Sequence, residues 1–389
     1  MNPHRYTWAF AYSAPVAMIA GVTTLIGLLF TRERRSPFQG AAVWWLLVFA
    51  IWMTLSWRMG YNPEADYFLW DRAIKIYLMT FVALMLLFSK LHIMTFAWVT
   101  IGSLALLSAK GGLFTILSGG NYRVWGPAGS FIADNNHFAL AVIVAMPMLH
   151  FLQLQLQKPW MRHSISIVIL LSVAAALGSH SRGAILALVA MGSVFWWRSS
   201  QKGLISLLLL VVVLVILPIM PEHWWERMAS IAQYEQDGSA MGRINAWYVA
   251  WDVAKNNFFG GGMSYQFQYF FDLYGRTENI ARAGHSIYFQ ILGNHGFVGL
   301  FLYLMIGIST YRTASWLRKH SADIPEAKWT RDLGAMAQVS LVGFAVGGAF
   351  LSMPYFDLPY NIMVMVVLAK KWVLDRAWVN EPRSNGPFW

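Results

Sequence analysis

The sequence predicts an all-α membrane protein with about 11 or 12 membrane-spanning helices and one large external loop. Of its 389 residues, 57% are hydrophobic and 12% are charged, whereas about 25% of the residues of a typical soluble domain are charged. Runs such as 204–220 and 334–353 are long enough to cross a hydrocarbon core of about 30 Å, which takes roughly 20 helical residues. Segments of alternating polarity, which would indicate a membrane β-barrel, do not occur.

Eleven apolar segments can be distinguished along the chain. They cover approximately residues 9–30, 40–57, 73–89, 92–109, 136–155, 164–179, 183–198, 204–220, 286–310, 334–353 and 358–374. The N-terminal residues lack the basic-then-apolar run and the cleavage site of a signal peptide, so we expect them to lead into the first span.

Lysine and arginine concentrate in alternate connections between these segments, for example around Arg34, Lys158 and Arg318. Because positively charged loops are retained in the cytoplasm, these connections and the C-terminus are predicted to be cytoplasmic and the N-terminus external. An odd number of spans with an external start suggests that an upstream span is missing from this numbering. The same bias accounts for the net charge of +11, and since no basic soluble domain exists to carry it, we expect no nucleic-acid partner.

The spans and their connections form one membrane domain in three parts. Residues 1–220 hold the first spans and their loops, 221–285 form a large periplasmic loop, and 286–389 hold the last spans and a cytoplasmic tail. Within the loop, apolar residues recur at helical spacing over 241–256, which predicts an amphipathic helix on the membrane surface or packed over the spans. Three consecutive glycines, at 260–262, end that pattern.

Arg182 lies in the sequence GSHSRGA, between two apolar runs with almost no loop to shelter it. An arginine at mid-membrane costs about 2.5 kcal/mol or more, so an arginine within a membrane segment indicates a functional site. The alternative is that the side chain extends from a helix end to the lipid headgroups. The small polar residues Ser179 and Ser181 favour a tight break in which the guanidinium faces a cavity.

Arg243 and His285 mark the two ends of the polar part of the loop. A guanidinium stays charged and binds phosphate oxygens in pairs, and two arginines from separate elements suit a diphosphate. A histidine with a pKa near 6.5 can take a proton from an acceptor hydroxyl at neutral pH. The alternatives are a surface ion pair between Arg243 and Asp237 and a purely structural His285. His295, inside the next span, is expected to hydrogen-bond within the bundle.

Further polar residues of the external connections are candidate contacts for an anionic ligand that carries a sugar. They are Arg72, Arg123, Asn135, Arg276 and Arg282. Asp134 and Asn135 are equally explained as caps of the helix that follows. The sequence has no cysteine and none of the zinc-protease, P-loop or nucleophile-elbow motifs. We therefore expect no metal and no cofactor.

Three motifs carry a resemblance to a known family. SRGA at 181–184, GRINAW at 242–247 and HSIYFQILGNHGFVGL at 285–300, in this order and spacing, resemble the O-antigen ligase and polymerase superfamily. The opening NPHRYTWAFAYS and the segment RVWGPAGSFIADNN are similar, more narrowly, to O-glycosylation ligases associated with exosortase A systems. Asn294 departs from the pattern, because many members carry an acidic residue there.

The resemblance implies a multi-pass glycosyltransferase of the bacterial inner membrane, with its active site facing the periplasm. Such an enzyme transfers a glycan from undecaprenyl diphosphate to a hydroxyl of a protein, lipid or polysaccharide acceptor. It also implies roles for three residues, with Arg182 and Arg243 gripping the diphosphate and His285 acting as the base. We expect an inverting reaction that needs no metal.

Three other functions remain open at the level of sequence. A polysaccharide polymerase would use the same donor with a second lipid-linked glycan as acceptor. A flippase or transporter of an anionic lipid-linked substrate should place its key charges near the membrane midplane and show two related halves, and neither feature is visible. A non-catalytic assembly partner would keep glycan transfer intact when His285 is changed.

Overall fold

The computed structural model describes residues 14–198, 202–229, 238–277 and 280–381, which form α-helices joined by turns and contain no strand. The helices are α1 Val16–Phe30, α2 Ala41–Met59, α3 Pro63–Leu86, α4 Lys90–Leu117, α5 Asn135–Gln155, α6 Pro159–Gly178, α7 Arg182–Arg198, α8 Lys202–Val211, α9 Glu222–Ala229, α10 Gly238–Asn256, α11 Gln268–Tyr274, α12 Ile287–His320, α13 Lys328–Gly348 and α14 Asp357–Leu374. The all-α prediction is confirmed.

Each predicted span coincides with one of these helices, although the first five residues of the first span lie outside the described part of the chain. Among the described residues, α2, α4, α5, α6 and α12 are long and apolar enough to cross a membrane. The chain is therefore a polytopic membrane protein, and the full number of crossings stays a prediction. The helix α8 continues through a π-helical turn at Val212–Ile216 and a 3-10 turn at Leu217–Ile219.

Three boundaries differ clearly from the prediction, since α4 ends at Leu117 rather than 109, α12 ends at His320 rather than 310, and α3 begins early. The helix α3 begins at Pro63, within a connection that was expected to be a loop up to residue 72. The side chain of Asn62 caps it by accepting a hydrogen bond from Ala65 N at 3.1 Å, and proline is favourable at the first helical position. Hydropathy alone missed this polar first part of the helix.

The helix α5 is the centre of the bundle and is buried on all its faces from Phe138 to Leu149. It packs against α4, α6, α7 and α13. Asp134 caps its N-terminus, since the Oδ1 atom accepts hydrogen bonds from Asn136 N at 2.8 Å and His137 N at 3.4 Å. The capping interpretation of Asp134 is confirmed, and this end of α5 is where the candidate site lies.

The predicted amphipathic helix exists as α10 and packs on α12. Ala246, Val249, Ala250 and Val253 bury its apolar face against the aromatic side chains of α11 and Tyr265. Trp251 belongs to the apolar pattern from which the helix over 241–256 was predicted, but it is 45% exposed and meets Phe297 edge-on.

The glycine-rich turn after α10 is fastened to α12 by backbone hydrogen bonds. Gly261 N donates to Gly293 O at 2.8 Å and Gly262 N donates to Asn294 O at 3.0 Å. The helix α12 is interrupted at Gly296, which has φ 68°. This interruption exposes the carbonyl groups that receive the turn, so α10 is held at a fixed position over the bundle.

Buried polar side chains of α12 complete this attachment. Asn294 donates to Met263 O at 2.6 Å and accepts from Tyr265 N at 3.0 Å. The ring of His295 contacts Ser56 Oγ at 2.8 Å and Tyr355 OH at 2.6 Å. The expectation that His295 hydrogen-bonds within the bundle is confirmed, and Asn294 has a structural role in this chain.

Candidate functional site

The candidate site is built where the N-termini of α5 and α7 meet. Asn135, in the first turn of α5, donates a hydrogen bond to Ser179 O at 2.7 Å. The Asn135 side chain is buried. This residue, which was predicted to contact the glycan donor or acceptor, instead links the start of α5 to the end of α6. A helix N-terminus carries partial positive charge from the aligned peptide dipoles; at α5 the Asp134 carboxylate already occupies it, so α7 is the helix whose N-terminus favours an anionic ligand.

Arg182 is the first residue of α7 and follows a buried turn formed by Ser179, His180 and Ser181. The turn is sharp because His180 has φ 57°, a conformation that costs a residue other than glycine roughly 1–3 kcal/mol. The imidazole of His180 hydrogen-bonds to Gly120 O at 2.9 Å. The predicted tight polar break is therefore present, and Arg182 lies half-buried at its end.

Arg243 lies in the second turn of α10, because the helix begins at Gly238 rather than at Met241. The alternative partner Asp237 lies outside the described residues. Arg243 and His285, 42 residues apart in sequence, interact electrostatically near the N-terminus of α5. Burial, followed by the positive charge of Arg243, lowers the pKa of His285 to about 4. The imidazole is consequently neutral at pH 7 and able to accept a proton.

The backbone around His285 is fixed by α10. Trp247 Nε1 donates to Gly284 O at 2.6 Å, and the Trp247 ring stacks on Phe289 at 4.9 Å between centroids. A Cβ atom at Gly284 would lie 2.3 Å from Tyr265 OH, so a larger residue there would displace the buried Tyr265 side chain. His285 itself has φ 45°. Strained histidines at both turns are typical of functional sites, where the surrounding structure holds an unfavourable conformation.

Arg72 and Arg276, two of the other predicted contacts, interact with aromatic and acidic side chains of the protein itself. The guanidinium of Arg72 lies over the Phe131 ring at 4.0 Å and interacts with Asp357. Arg276 forms an ion pair with Asp252 at 3.3 Å and lies over the Tyr248 ring at 3.9 Å, on the outer face of α10.

The remaining two contacts lie closer to the site. Arg282 passes Gly242, where an added Cβ would meet its side chain at 2.9 Å, and thus approaches the turn of α10 that carries Arg243. Arg123 is exposed and interacts electrostatically with His180.

The sequence analysis gave no role to His137, although it belongs to the segment that was singled out. His137 and Asp134 both lie close enough to His285 to interact with it electrostatically, so the start of α5 faces the candidate base. The signal was available in the sequence, since His137 lies two residues after Asn135 in the same polar segment. Within the described residues, no three histidine or acidic side chains group as metal ligands.

Comparison with known proteins connects this arrangement to a family. Residues 1–157 match a family of unknown function, and residues 167–304, which contain Arg182, Arg243 and His285, match the family described as O-antigen ligase. No curated protein matches the sequence. A chain from a solved structure entitled "Structural coordination of polymerization and crosslinking by a peptidoglycan synthase complex" aligns at 16% identity, with a TM-score of 0.45, over 86% of this chain and 97% of that one. Residues 167–304 therefore carry an O-antigen ligase domain, which supports the predicted superfamily.

Proposed function

We propose that the protein is an inner-membrane glycosyltransferase that moves a glycan from undecaprenyl diphosphate to an acceptor hydroxyl on the periplasmic face. The observation that carries the proposal is the electrostatic interaction of Arg243 with a neutral His285 near the N-terminus of α5. A cation for the leaving diphosphate and a base for the acceptor hydroxyl are the two groups that this reaction requires.

In the proposed reaction His285 takes the proton of the acceptor hydroxyl. The hydroxyl oxygen forms a bond to the anomeric carbon from the face opposite the diphosphate, and the bond from that carbon to the diphosphate oxygen breaks. The electron pair leaves with the undecaprenyl diphosphate, and the proton passes from His285 to water. Because the attack comes from the opposite face, the configuration at the anomeric carbon inverts.

Arg182 and Arg243 are proposed to bind the diphosphate, with the N-terminus of α7 adding positive potential. Negative charge on the leaving phosphate grows as the bond breaks, so fixed guanidinium groups stabilise the transition state more than the bound donor. The binding of a diphosphate would also offset the charge of Arg243 beside His285. The pKa of His285 would then rise, and the base would become stronger when the donor is in place.

The test is a transfer assay with purified protein, an undecaprenyl-diphosphate-linked glycan and a chelator. His285→Ala is expected to reduce turnover by about 10²- to 10⁴-fold, the usual contribution of a general base. Arg182→Ala and Arg243→Ala are expected to reduce turnover as well, since each removes charge from the leaving diphosphate.

Matched controls come from exposed residues of the same types, His163→Ala and Arg34→Ala, which should keep full activity.

The transferase is supported if the unmodified protein consumes the donor and releases free undecaprenyl diphosphate while the three site variants do not. A chelator that abolishes transfer contradicts metal independence. Donor movement across a vesicle bilayer without any cleavage contradicts the proposal and favours a transporter. Full transfer by His285→Ala favours a non-catalytic role.

The polymerase alternative shares this site and differs only in the acceptor. It would be favoured if the product were a longer glycan on undecaprenyl diphosphate when that donor is the only glycan supplied. An association with exosortase systems stays a prediction from the sequence resemblance.

A further inference from the structure

Two arginines meet on one buried side chain at the ends of α7 and α12 that lie away from the candidate site. Arg198 is the last residue of α7 and Arg318 lies near the end of α12. Both donate to Gln338 Oε1, Arg198 from Nη1 at 2.6 Å and Arg318 from Nη1 at 2.8 Å. The two donor nitrogens are therefore at most 5.4 Å apart, the sum of these distances. Guanidinium groups stay charged at any working pH, so they repel each other at this range.

The acceptor that the two arginines share is fixed by its own hydrogen bonds. Gln338 is 1% exposed, and its Nε2 atom donates to Tyr311 O at 3.3 Å and to Ser315 Oγ. These bonds turn the amide oxygen toward the arginines. Tyr311 OH also accepts from Arg198 Nη2 at 2.7 Å, so the guanidinium of Arg198 is held at two points. The positions of both charges are thus determined by the packing of α7, α12 and α13.

The two positive charges are not compensated within the described part of the chain. No acidic side chain there forms a salt bridge with Arg198 or Arg318. The largest electrostatic influence of another residue on Arg318 is the positive charge of Arg198. A guanidinium has five N–H donors, of which Arg198 uses two and Arg318 one among the described residues. Both charge and donors therefore remain for an anion.

This geometry differs from that of ordinary basic residues at a membrane surface. Arg312 and Lys319 belong to the same part of α12 and are both exposed, as expected for charges that are retained on the cytoplasmic side. Arg198 and Arg318 instead come from two helices and share a buried neutral acceptor. A phosphate group offers both the negative charge and several oxygens with which to bridge two guanidinium groups.

We propose that Arg198 and Arg318 form a binding site for a phosphate group on the predicted cytoplasmic face. The ligand is a phosphate monoester or diester, which either the headgroup of an anionic lipid or a soluble phosphate compound can supply. Each guanidinium donates to a different phosphate oxygen, with Gln338 holding the two arginines at the required separation. The site lies outside the machinery of the proposed glycan transfer and does not depend on that proposal.

The experiment measures binding of three probes to the purified full chain in a nonionic detergent. The probes are phosphatidylglycerol, inorganic phosphate, and diacylglycerol as a lipid without phosphate. At least one phosphate probe should bind, and diacylglycerol should not. Arg198→Gln and Arg318→Gln should each weaken that binding by roughly 10- to 100-fold, the usual contribution of a hydrogen bond to a charged group. Arg312→Gln, at an exposed arginine of the same helix, should bind like the unmodified protein.

Competition between the probes identifies the source of the phosphate. Bound phosphatidylglycerol that inorganic phosphate does not displace assigns the site to a lipid headgroup. Binding of inorganic phosphate, alone or in competition with the lipid, assigns it to a soluble compound. If neither phosphate probe binds more tightly than diacylglycerol, or if Arg312→Gln weakens binding as much as Arg198→Gln does, the proposal is wrong.

Thermal unfolding separates a binding site from a purely structural role. Arg318→Gln removes the repulsion between like charges, so the unfolding midpoint without ligand should stay the same or rise. The increase in midpoint that the bound probe gives to the unmodified protein should be lost. A variant with a lower midpoint and unchanged binding would show that the arginines only support Gln338, which overturns the proposal. Should Arg318→Gln fail to fold, Arg198→Gln, at an exposed position, decides between the two.

Discussion

His285 illustrates how a residue acquires its chemistry from its surroundings. In sequence it is one of ten histidines, and its ordinary pKa near 6.5 would leave it partly protonated at neutral pH. In the folded chain, burial and the charge of Arg243 lower its pKa to about 4. A neutral imidazole in a strained backbone conformation, beside a guanidinium, is what distinguishes this histidine from the structural His295.

The lowered pKa of His285 predicts the pH range over which glycan transfer should decline. Because protonation inactivates the base, kcat/KM should stay constant as the pH falls from 8 to 6 and decline only near pH 4, the pKa of His285 in the free protein. The decline in kcat should occur at a higher pH, since a bound diphosphate offsets the charge of Arg243. The measurement is a pH profile of both constants, and two coincident declines near pH 6.5 would contradict it.

At the scale of single elements, α10 positions the candidate base through Trp247. Trp247→Phe keeps the stacking on Phe289 but loses the hydrogen bond to Gly284 O. We expect kcat to fall by about ten- to a hundredfold, since small displacements of a catalytic group have effects of that size. The midpoint of thermal unfolding should change little, and Trp251→Phe, at an exposed position, is the control. An unchanged kcat would show that Trp247 does not position His285.

The glycine turn after α10 gives a prediction about stability. A Cβ at Gly260 would lie 2.4 Å from Asn294 O, and the residue has φ 73°. Gly260→Ala should therefore destabilise the fold by at least about 1–3 kcal/mol, the cost of this backbone conformation alone. The thermal unfolding midpoint in detergent measures the loss. Gly307→Ala, where a Cβ meets nothing within 4 Å, should leave the midpoint unchanged, and equal midpoints for the two variants would contradict the predicted attachment.

At the scale of the whole molecule, the predicted orientation can be mapped directly because the chain contains no cysteine. Tyr122 and His163 are exposed and lie in connections predicted to face opposite sides of the membrane. In spheroplasts, a membrane-impermeant maleimide should label Tyr122→Cys, and it should label His163→Cys only after the membrane is permeabilised. The opposite pattern would reverse the orientation and move the candidate site to the cytoplasmic face.

The sequence by itself determined the class of the protein and the positions of its long helices, and it predicted Arg182, Arg243 and His285 as site residues. These follow from local properties, since a membrane span is recognisable from its apolar length and an isolated arginine or histidine stands out among apolar residues. Asp134 as a cap and 241–256 as a helix were predictable for the same reason. The motif resemblance added the assignment of roles to Arg182, Arg243 and His285.

Only the tertiary structure decided which of these residues act on one another. His137 was overlooked and Arg276 was included because spacing along the chain does not say which way a side chain points. Arg243 and His285 are separated by 42 residues, and their approach depends on the attachment of α10 to the interrupted helix α12. The pKa of His285 depends on burial and on charges from other elements. The approach of Arg243 to His285 and the pKa of His285 both depend on tertiary packing, so neither can be predicted from a local pattern of residues.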